Sequence, residues 1–144
     1  MSKRSHRSAP APGARTGAER PTVTVCRGCC CGTPKIPGLD HAAQLRDLRK
    51  ALGGSATVRG TDCLGACERA DVVVIRPSAT GRRAGGRPVW LGLVNDRDAT
   101  VDIAAWVANG GPGITDPPAV LDLYAFSPSR RARRVGPARG RAPA

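Results

Sequence analysis

Aromatic residues are scarce in this sequence: they make up 3% of its 144 residues, as two Trp, one Tyr and one Phe. A folded core must therefore be built from Val, Leu, Ile and Ala. Long apolar runs are also missing, and no stretch approaches the roughly 20 residues that a membrane-spanning helix needs. The basic N-terminus has no apolar central region, so a secretory signal is not expected. These absences predict a cytoplasmic protein that makes no contact with a membrane.

Acidic residues are few at both ends of the chain. The net charge of the whole chain is +12. Residues 1–20 contribute +4 and residues 128–144 contribute +6, which leaves +2 for residues 21–127. Both ends are rich in Arg, Pro, Gly and Ala, and such segments cannot bury enough surface to offset the entropy of ordering. We therefore predict disordered basic tails at 1–20 and 128–144 around one domain at 21–127. Without aromatics among the tail arginines, no specific nucleic-acid binding is expected.

The central segment shows strand and helix patterns in the order β-α-β-β-β-α. Runs of β-branched and other apolar residues predict strands at 22–26, 56–60, 72–75 and 88–94. Helices are predicted from Asp40 to about Leu52, and from Asp96 or Asp98 to the glycines at 110–111. The run at 72–75 is apolar throughout and should be buried on both faces. Because the first βαβ unit needs parallel strands, the pattern predicts an α/β domain with a small mixed sheet.

Six cysteines in a reducing cytosol indicate metal binding or redox chemistry rather than a disulfide framework. They form two groups, CRGCCC at 26–31 and CLGAC at 63–67. Cys26 ends the first predicted strand and Cys63 follows the second, so parallel pairing brings both to one edge of the sheet. Thiolates are soft ligands for iron–sulfur clusters, zinc or Cu(I). Four of them hold an all-cysteine [2Fe–2S] cluster.

The stretches VTVCRGCCCG and TDCLGACERADVVVI resemble the thioredoxin-like [2Fe–2S] ferredoxins and the related small iron–sulfur subunit of NADH:quinone oxidoreductases. That subunit has two cysteines separated by four residues, then a helix and a strand, then two cysteines separated by three. The resemblance implies a thioredoxin-like fold in which Cys26, Cys31, Cys63 and Cys67 bind one [2Fe–2S] cluster. It further implies one-electron exchange with a reductase and an acceptor protein, and pairing into a homodimer.

Three alternatives stay open on the sequence. Cys29 or Cys30 could replace Cys31 as the second ligand. Cys26 and Cys29 could instead join Cys63 and Cys67 in a zinc-binding interaction module. A thiol–disulfide oxidoreductase using Cys26 and Cys29 is the third possibility. No general base, phosphate-cradling loop or nucleophile–histidine pair is evident, so the pattern favours an electron carrier over an enzyme.

The arginine-rich connection at 77–87 is a further candidate for a docking surface. It joins the two predicted strands that form a hairpin, so it should lie at the sheet edge opposite the cysteines. A partner that exchanges electrons must approach the cysteines, and we therefore do not expect this connection to bind it.

Overall fold

Strands and helices alternate along the chain largely as the patterns predict. The computed structural model describes residues 19–27, 40–61, 64–66, 69–130 and 132. The elements are β1 (Thr22–Cys26), α1 (His41–Leu52), β2 (Thr57–Thr61), β3 (Val73–Arg76), α2 (Ala79–Arg83), β4 (Val89–Leu91), α3 (Arg97–Ala108), a 3-10 helix (Ala119–Leu123) and β5 (Ala125–Phe126). In these ranges no helix is long and apolar enough to cross a bilayer. The predicted α/β class is confirmed.

Short polar side chains fix where the helices begin. Asp40 accepts a hydrogen bond from the Ala43 amide at 2.9 Å and starts α1, as predicted. Asp96 accepts from the Ala99 amide at 2.7 Å, so it caps α3 in preference to Asp98. At the other end of α1, Gly53 takes a φ of +48° and donates its N–H to Arg49 at 3.0 Å. This positive φ explains why a glycine ends the helix.

The sheet has the strand order β2-β1-β3-β4-β5, with β1 and β2 parallel and the other neighbours antiparallel. Cys26 lies opposite Thr61 in the register of β1 and β2, and the start of β3 lies beside it. We call this side of the sheet the cysteine edge. Arg76, at the end of β3, lies opposite Thr22 at the other end of β1. The connection at 77–87 therefore leaves from the edge opposite Cys26, as predicted.

Apolar side chains cover both faces of the sheet. Val72, Val73, Val74 and Ile75 are each 0% exposed, which confirms that this run is buried on two sides. One face packs against α1 and α3 in the larger of two buried clusters, to which Leu48 and Ile103 belong. The other face carries a smaller cluster made of Cys26, Leu64, Ala66, Val72, Val74, Trp90 and Ala132. Trp90 and Trp106 are both buried, so each contributes to core packing.

The structure differs from the prediction between Pro77 and Phe126. The short helix α2 lies inside the connection predicted as a loop, because Ser78 caps it by accepting from the Gly81 amide at 3.0 Å. Strand β4 ends at Leu91 rather than at residue 94, because Leu93 turns the chain away with a φ of +58°. The two-residue strand β5, which no pattern predicted, pairs with β4 and is the outermost strand on that side of the sheet.

Candidate metal centre

Cys26 is the predicted ligand that the structure describes. It is the last residue of β1 and is 1% exposed. Its amide donates to the Val72 carbonyl at 2.9 Å, and the next amide, of Arg27, donates to the Thr61 carbonyl at 2.8 Å. The end of β1 is thus fixed between β2 and the start of β3. Thr61, which lies opposite Cys26, precedes Cys63 by two residues in the sequence, so the parallel pairing supports the expectation that both cysteine groups meet at this edge.

The other predicted ligands, Cys31, Cys63 and Cys67, lie outside the described residues, as do the alternatives Cys29 and Cys30. In the part of the chain that the structure describes, no three His, Cys, Asp or Glu side chains form a group that could hold a metal ion. The four-cysteine ligand set accordingly stays a prediction.

Leu64 and Ala66, which lie between Cys63 and Cys67 in the sequence, are 1% and 3% exposed. Both belong to the same buried cluster as Cys26. Two segments almost 40 residues apart in sequence therefore pack together on the face of the sheet opposite α1. The soft sulfur donors of the sequence and this shared packing fit a site built from both cysteine groups.

A C-terminal element covers this region from outside. Ala132 is 0% exposed, and its amide donates to the Ser129 hydroxyl at 3.1 Å. Gly65 lies directly beneath it with a φ of +76°, and a Cβ on Gly65 would come within 3.3 Å of the Ala132 Cα. We call Ser129, Arg130 and Ala132 the C-terminal cover. Ala132 lies beyond residue 127, where the sequence places the end of the domain, and its size and apolarity alone gave no signal of its burial.

Arg27 ties the end of β1 to the first turn of α1. Its guanidinium donates to the Cys26 carbonyl at 3.0 Å, to the His41 carbonyl at 2.9 Å and to the Gln44 Oε1 at 3.0 Å. Gln44 is itself 5% exposed and donates from Nε2 to the Val94 carbonyl at 3.0 Å. These hydrogen bonds link β1, α1 and the segment that enters α3. The chain between Arg27 and Asp40, which carries Cys29, Cys30 and Cys31, thus starts and ends at fixed points.

A buried carboxylate lies at the same edge. Asp71 is 0% exposed, and no described group donates a hydrogen bond to either of its carboxylate oxygens. His41 Nδ1 lies 3.4 Å from Asp71 Oδ2. Burial raises the pKa of Asp71, while the charges of His41 and Arg27 oppose that rise. The Asn95 side chain holds the adjoining backbone, accepting from the Asp71 amide at 3.0 Å and donating to the Ala70 carbonyl at 3.1 Å.

Sequence reasoning missed most of this polar network. Asp40 was found because an aspartate before a helical pattern is a common cap. Gln44 and Asp71 carry no such positional signal, because glutamine and aspartate are usually solvated.

No protein-family model matches the chain, and no curated protein sequence matches it. Among solved structures, the chain is similar to the thioredoxin-like [2Fe–2S] ferredoxin from Aquifex aeolicus. The identity is 22% and the TM-score is 0.44. The match covers 76% of this chain and 99% of the ferredoxin.

Proposed function

We propose that this protein is a cytoplasmic one-electron carrier that binds one [2Fe–2S] cluster through Cys26, Cys31, Cys63 and Cys67. The observation that carries the proposal is the packing of Cys26 with Leu64 and Ala66 in one buried cluster. Because Leu64 and Ala66 lie between Cys63 and Cys67 in the sequence, this packing supports a single site made from both cysteine groups. When bound, the cluster would accept and release one electron at a time.

The protein's own residues would hold this site rigid. Arg27 donates hydrogen bonds to the carbonyls of Cys26 and His41. These bonds hold together the two ends of the segment whose sequence includes Cys31. Gly65, with its positive φ, lets the loop between Cys63 and Cys67 turn tightly beneath Ala132. The buried side chains of Leu64 and Ala66 exclude water from one side of this loop. Low exposure of sulfur ligands and fixed hydrogen bonds around them are the means by which a protein tunes such a cluster.

The burial of Cys26 weighs against the thiol–disulfide enzyme. A cysteine that attacks a substrate disulfide needs a partly exposed, electropositive setting. Cys26 is 1% exposed at the end of a central strand. A four-cysteine zinc site uses the same thiolates and is the second candidate, because burial suits a structural zinc equally well.

Anaerobic purification with metal analysis separates these functions. Equal amounts of iron and acid-labile sulfide, with the visible absorption and EPR signal of a reduced [2Fe–2S] centre, are the result expected. Colourless protein that contains zinc would contradict the electron-carrier proposal and support the zinc-binding module. Metal-free protein with a titratable dithiol would favour the oxidoreductase.

The ligand assignment has its own pair of variants. We expect Cys31→Ser to abolish or strongly alter the cluster spectrum and Cys29→Ser to leave it nearly intact, because the resemblance assigns Cys31. The two variants make the same chemical change two positions apart in the sequence, so each controls for the other. An intact spectrum in Cys31→Ser with a lost spectrum in Cys29→Ser would reverse the assignment.

A further inference from the structure

Exposed apolar side chains are concentrated in one part of this protein. Among the residues that the structure describes, every exposed large apolar side chain lies between positions 93 and 123. Leu123 is the extreme case, with 83% of its surface exposed, and Leu93 is 51% exposed. Single apolar residues scattered over a surface need no explanation, but a contiguous patch of them marks a place where another molecule binds. The relative positions of these side chains therefore matter.

Hydrogen bonds between two strand ends bring three of these side chains together. The Gly92 amide donates to the Tyr124 carbonyl at 2.8 Å, just beyond the pairing of β4 with β5. Leu93 and Leu123 adjoin the two bonded residues, so their Cα atoms lie within about 13 Å of each other. Val120 lies three residues before Leu123 in the 3-10 helix, and side chains at this spacing eclipse each other. We call Leu93, Val120 and Leu123 the leucine patch.

The leucine patch lies at the cysteine edge of the sheet. Leu91, the last residue of β4, is opposite Val73, and Val73 is opposite Val25 in the strand that ends at Cys26. Strand β4 is two strands away from β1, which corresponds to about 10 Å. A standard protein interface covers about 800 Å² of each partner, which is a disc roughly 30 Å across. A protein centred on the leucine patch would therefore also cover the end of β1.

Carboxylates surround the leucine patch on the side of α3. The Tyr124 hydroxyl donates to Asp96 Oδ2 at 2.8 Å. This hydrogen bond raises the pKa of Tyr124, and burial and the charges of Asp96, Asp102 and Asp98 raise it further. Asp98 is exposed in the first turn of α3, and Asp122 is exposed on the 3-10 helix. The patch thus has an acidic rim.

The positive charges near this rim do not cancel it. Five of the eleven acidic residues of the chain lie from 96 to 122, where Arg97 is the only basic residue. Arg27, beside Cys26, is half-buried and donates hydrogen bonds to acceptors on β1 and α1. The Arg69 guanidinium lies 5.2 Å from the centroid of the Phe126 ring, which packs against the smaller cluster on the other face of the sheet. The surroundings of the patch are therefore acidic, although the whole chain has a net charge of +12.

We propose that the leucine patch is a docking surface for a basic protein that presents an apolar side chain between lysines or arginines. The acidic rim selects such a partner by charge complementarity. A second copy of this chain bound symmetrically through the patch would place the same carboxylates opposite each other, which is unfavourable. The negative charge also disfavours nucleic acid at this place. The inference goes beyond the proposed function, because docking of this kind requires no cluster.

Two peptides of equal charge serve as probes of the patch. The first has one tryptophan between two pairs of lysines, and the second has glycine in place of the tryptophan. Each is titrated into the full chain while the backbone amide NMR signals are recorded, which gives both the affinity and the place of binding. We expect the tryptophan peptide to bind about tenfold more tightly, because even partial burial of an aromatic side chain contributes this much. Its binding should shift the amide signals of residues 93–98 and 120–124.

Replacing one apolar side chain tests the patch itself. Leu123→Ser removes its most exposed member, and a side chain that is 83% exposed contributes little to folding. The matched control is Ile114→Ser, which changes an exposed side chain next to Gly110 at the other end of α3. We expect Leu123→Ser to lower the affinity for the tryptophan peptide about tenfold, to that of the glycine peptide, and Ile114→Ser to leave both affinities unchanged.

A pair of double variants tests the acidic rim. Asp98→Asn with Asp122→Asn should weaken both peptides by about fivefold at low salt, because two exposed ion pairs are lost. Asp47→Asn with Asp116→Asn gives the same net charge from exposed carboxylates elsewhere and should leave both affinities unchanged. Equal losses in the two double variants would show that total charge, rather than the rim, attracts the peptides, and would overturn the proposal.

Three other results would also overturn the proposal. They are equal affinity for the two peptides, signal shifts that lie away from the leucine patch, and equal losses in Leu123→Ser and Ile114→Ser. Sedimentation of the parent checks for a second copy: self-association that Leu123→Ser removes would assign the patch to this chain itself and contradict a basic partner. These measurements do not depend on iron, so a protein without iron and sulfide would refute the carrier function and leave this inference standing.

Discussion

Replacing Gly65 with alanine tests the contact between the cysteine loop and the C-terminal cover. Gly65 has a φ of +76°, and the new Cβ would lie 3.3 Å from the Ala132 Cα. A side chain in left-handed backbone costs about 1 to 2 kcal/mol. Carbon atoms pack best at about 3.5 to 4.0 Å, so Ala132 must also shift outward. Crowding of a well-packed site costs a further 1 to 3 kcal/mol or so.

The matched control is Gly85→Ala at the opposite edge. Gly85 has a φ of +94°, and a Cβ there would have nothing within 4 Å. This variant has the backbone strain without the contact. We expect urea unfolding to show a loss of about 2 to 5 kcal/mol for Gly65→Ala and about 1 to 2 kcal/mol for Gly85→Ala.

Limited trypsin digestion gives a second, local measurement. If alanine at position 65 displaces Ala132, cleavage after Arg130 should become faster in Gly65→Ala than in the parent, and Gly85→Ala should match the parent. Equal losses of stability in the two variants, together with unchanged cleavage at Arg130, would refute the packing of Ala132 on the cysteine loop.

Two further variants test the polar network at the cysteine edge. Arg27→Ala removes three hydrogen bonds from a charged donor and should lower the free energy of unfolding by about 2 to 3 kcal/mol, measured by urea denaturation; an unchanged midpoint would contradict the network. Asp71→Asn tests burial of a carboxylate whose folded pKa is raised above 3.8. The folded state then binds the proton more tightly than the unfolded state, so the parent should lose stability as the pH rises from 3.8 through the folded pKa, and Asp71→Asn should lack that loss. Parallel stability curves for the two proteins over this window would contradict the prediction.

Periodic patterns predicted the frame of this fold well. The alternation at 22–26 and the apolar run at 72–75 gave two central strands, because burial on one or both faces directly sets these patterns. Asp40 marked the start of α1 because an aspartate before a helical pattern is a common cap, and Leu48 and Leu52 marked its buried face. The meeting of the first two strand ends followed from the handedness and spacing of a βαβ unit.

Features that depend on tertiary contacts could not be predicted from the sequence. The burial of Ala132 depends on Gly65 leaving room for it, and neither residue signals the other. The end of β4 depends on the turn at Leu93, whose amide donates to the Arg69 carbonyl at 2.8 Å. At the candidate site, the spacing of the cysteines in the sequence suggested four ligands. It gave no information on the hydrogen bonds that Arg27 donates to its three acceptors. Hydrogen bonds between residues far apart in the sequence produce no periodic pattern of residue types.

The smaller buried cluster also has a consequence for how the protein is made. Synthesis proceeds from the N-terminus, and among the described residues the larger cluster on the helical side of the sheet contains none beyond Tyr124. The smaller cluster, which holds Cys26, also contains Ala132. During translation, the packing around Leu64 and Ala66 is therefore completed later than the helical side of the sheet.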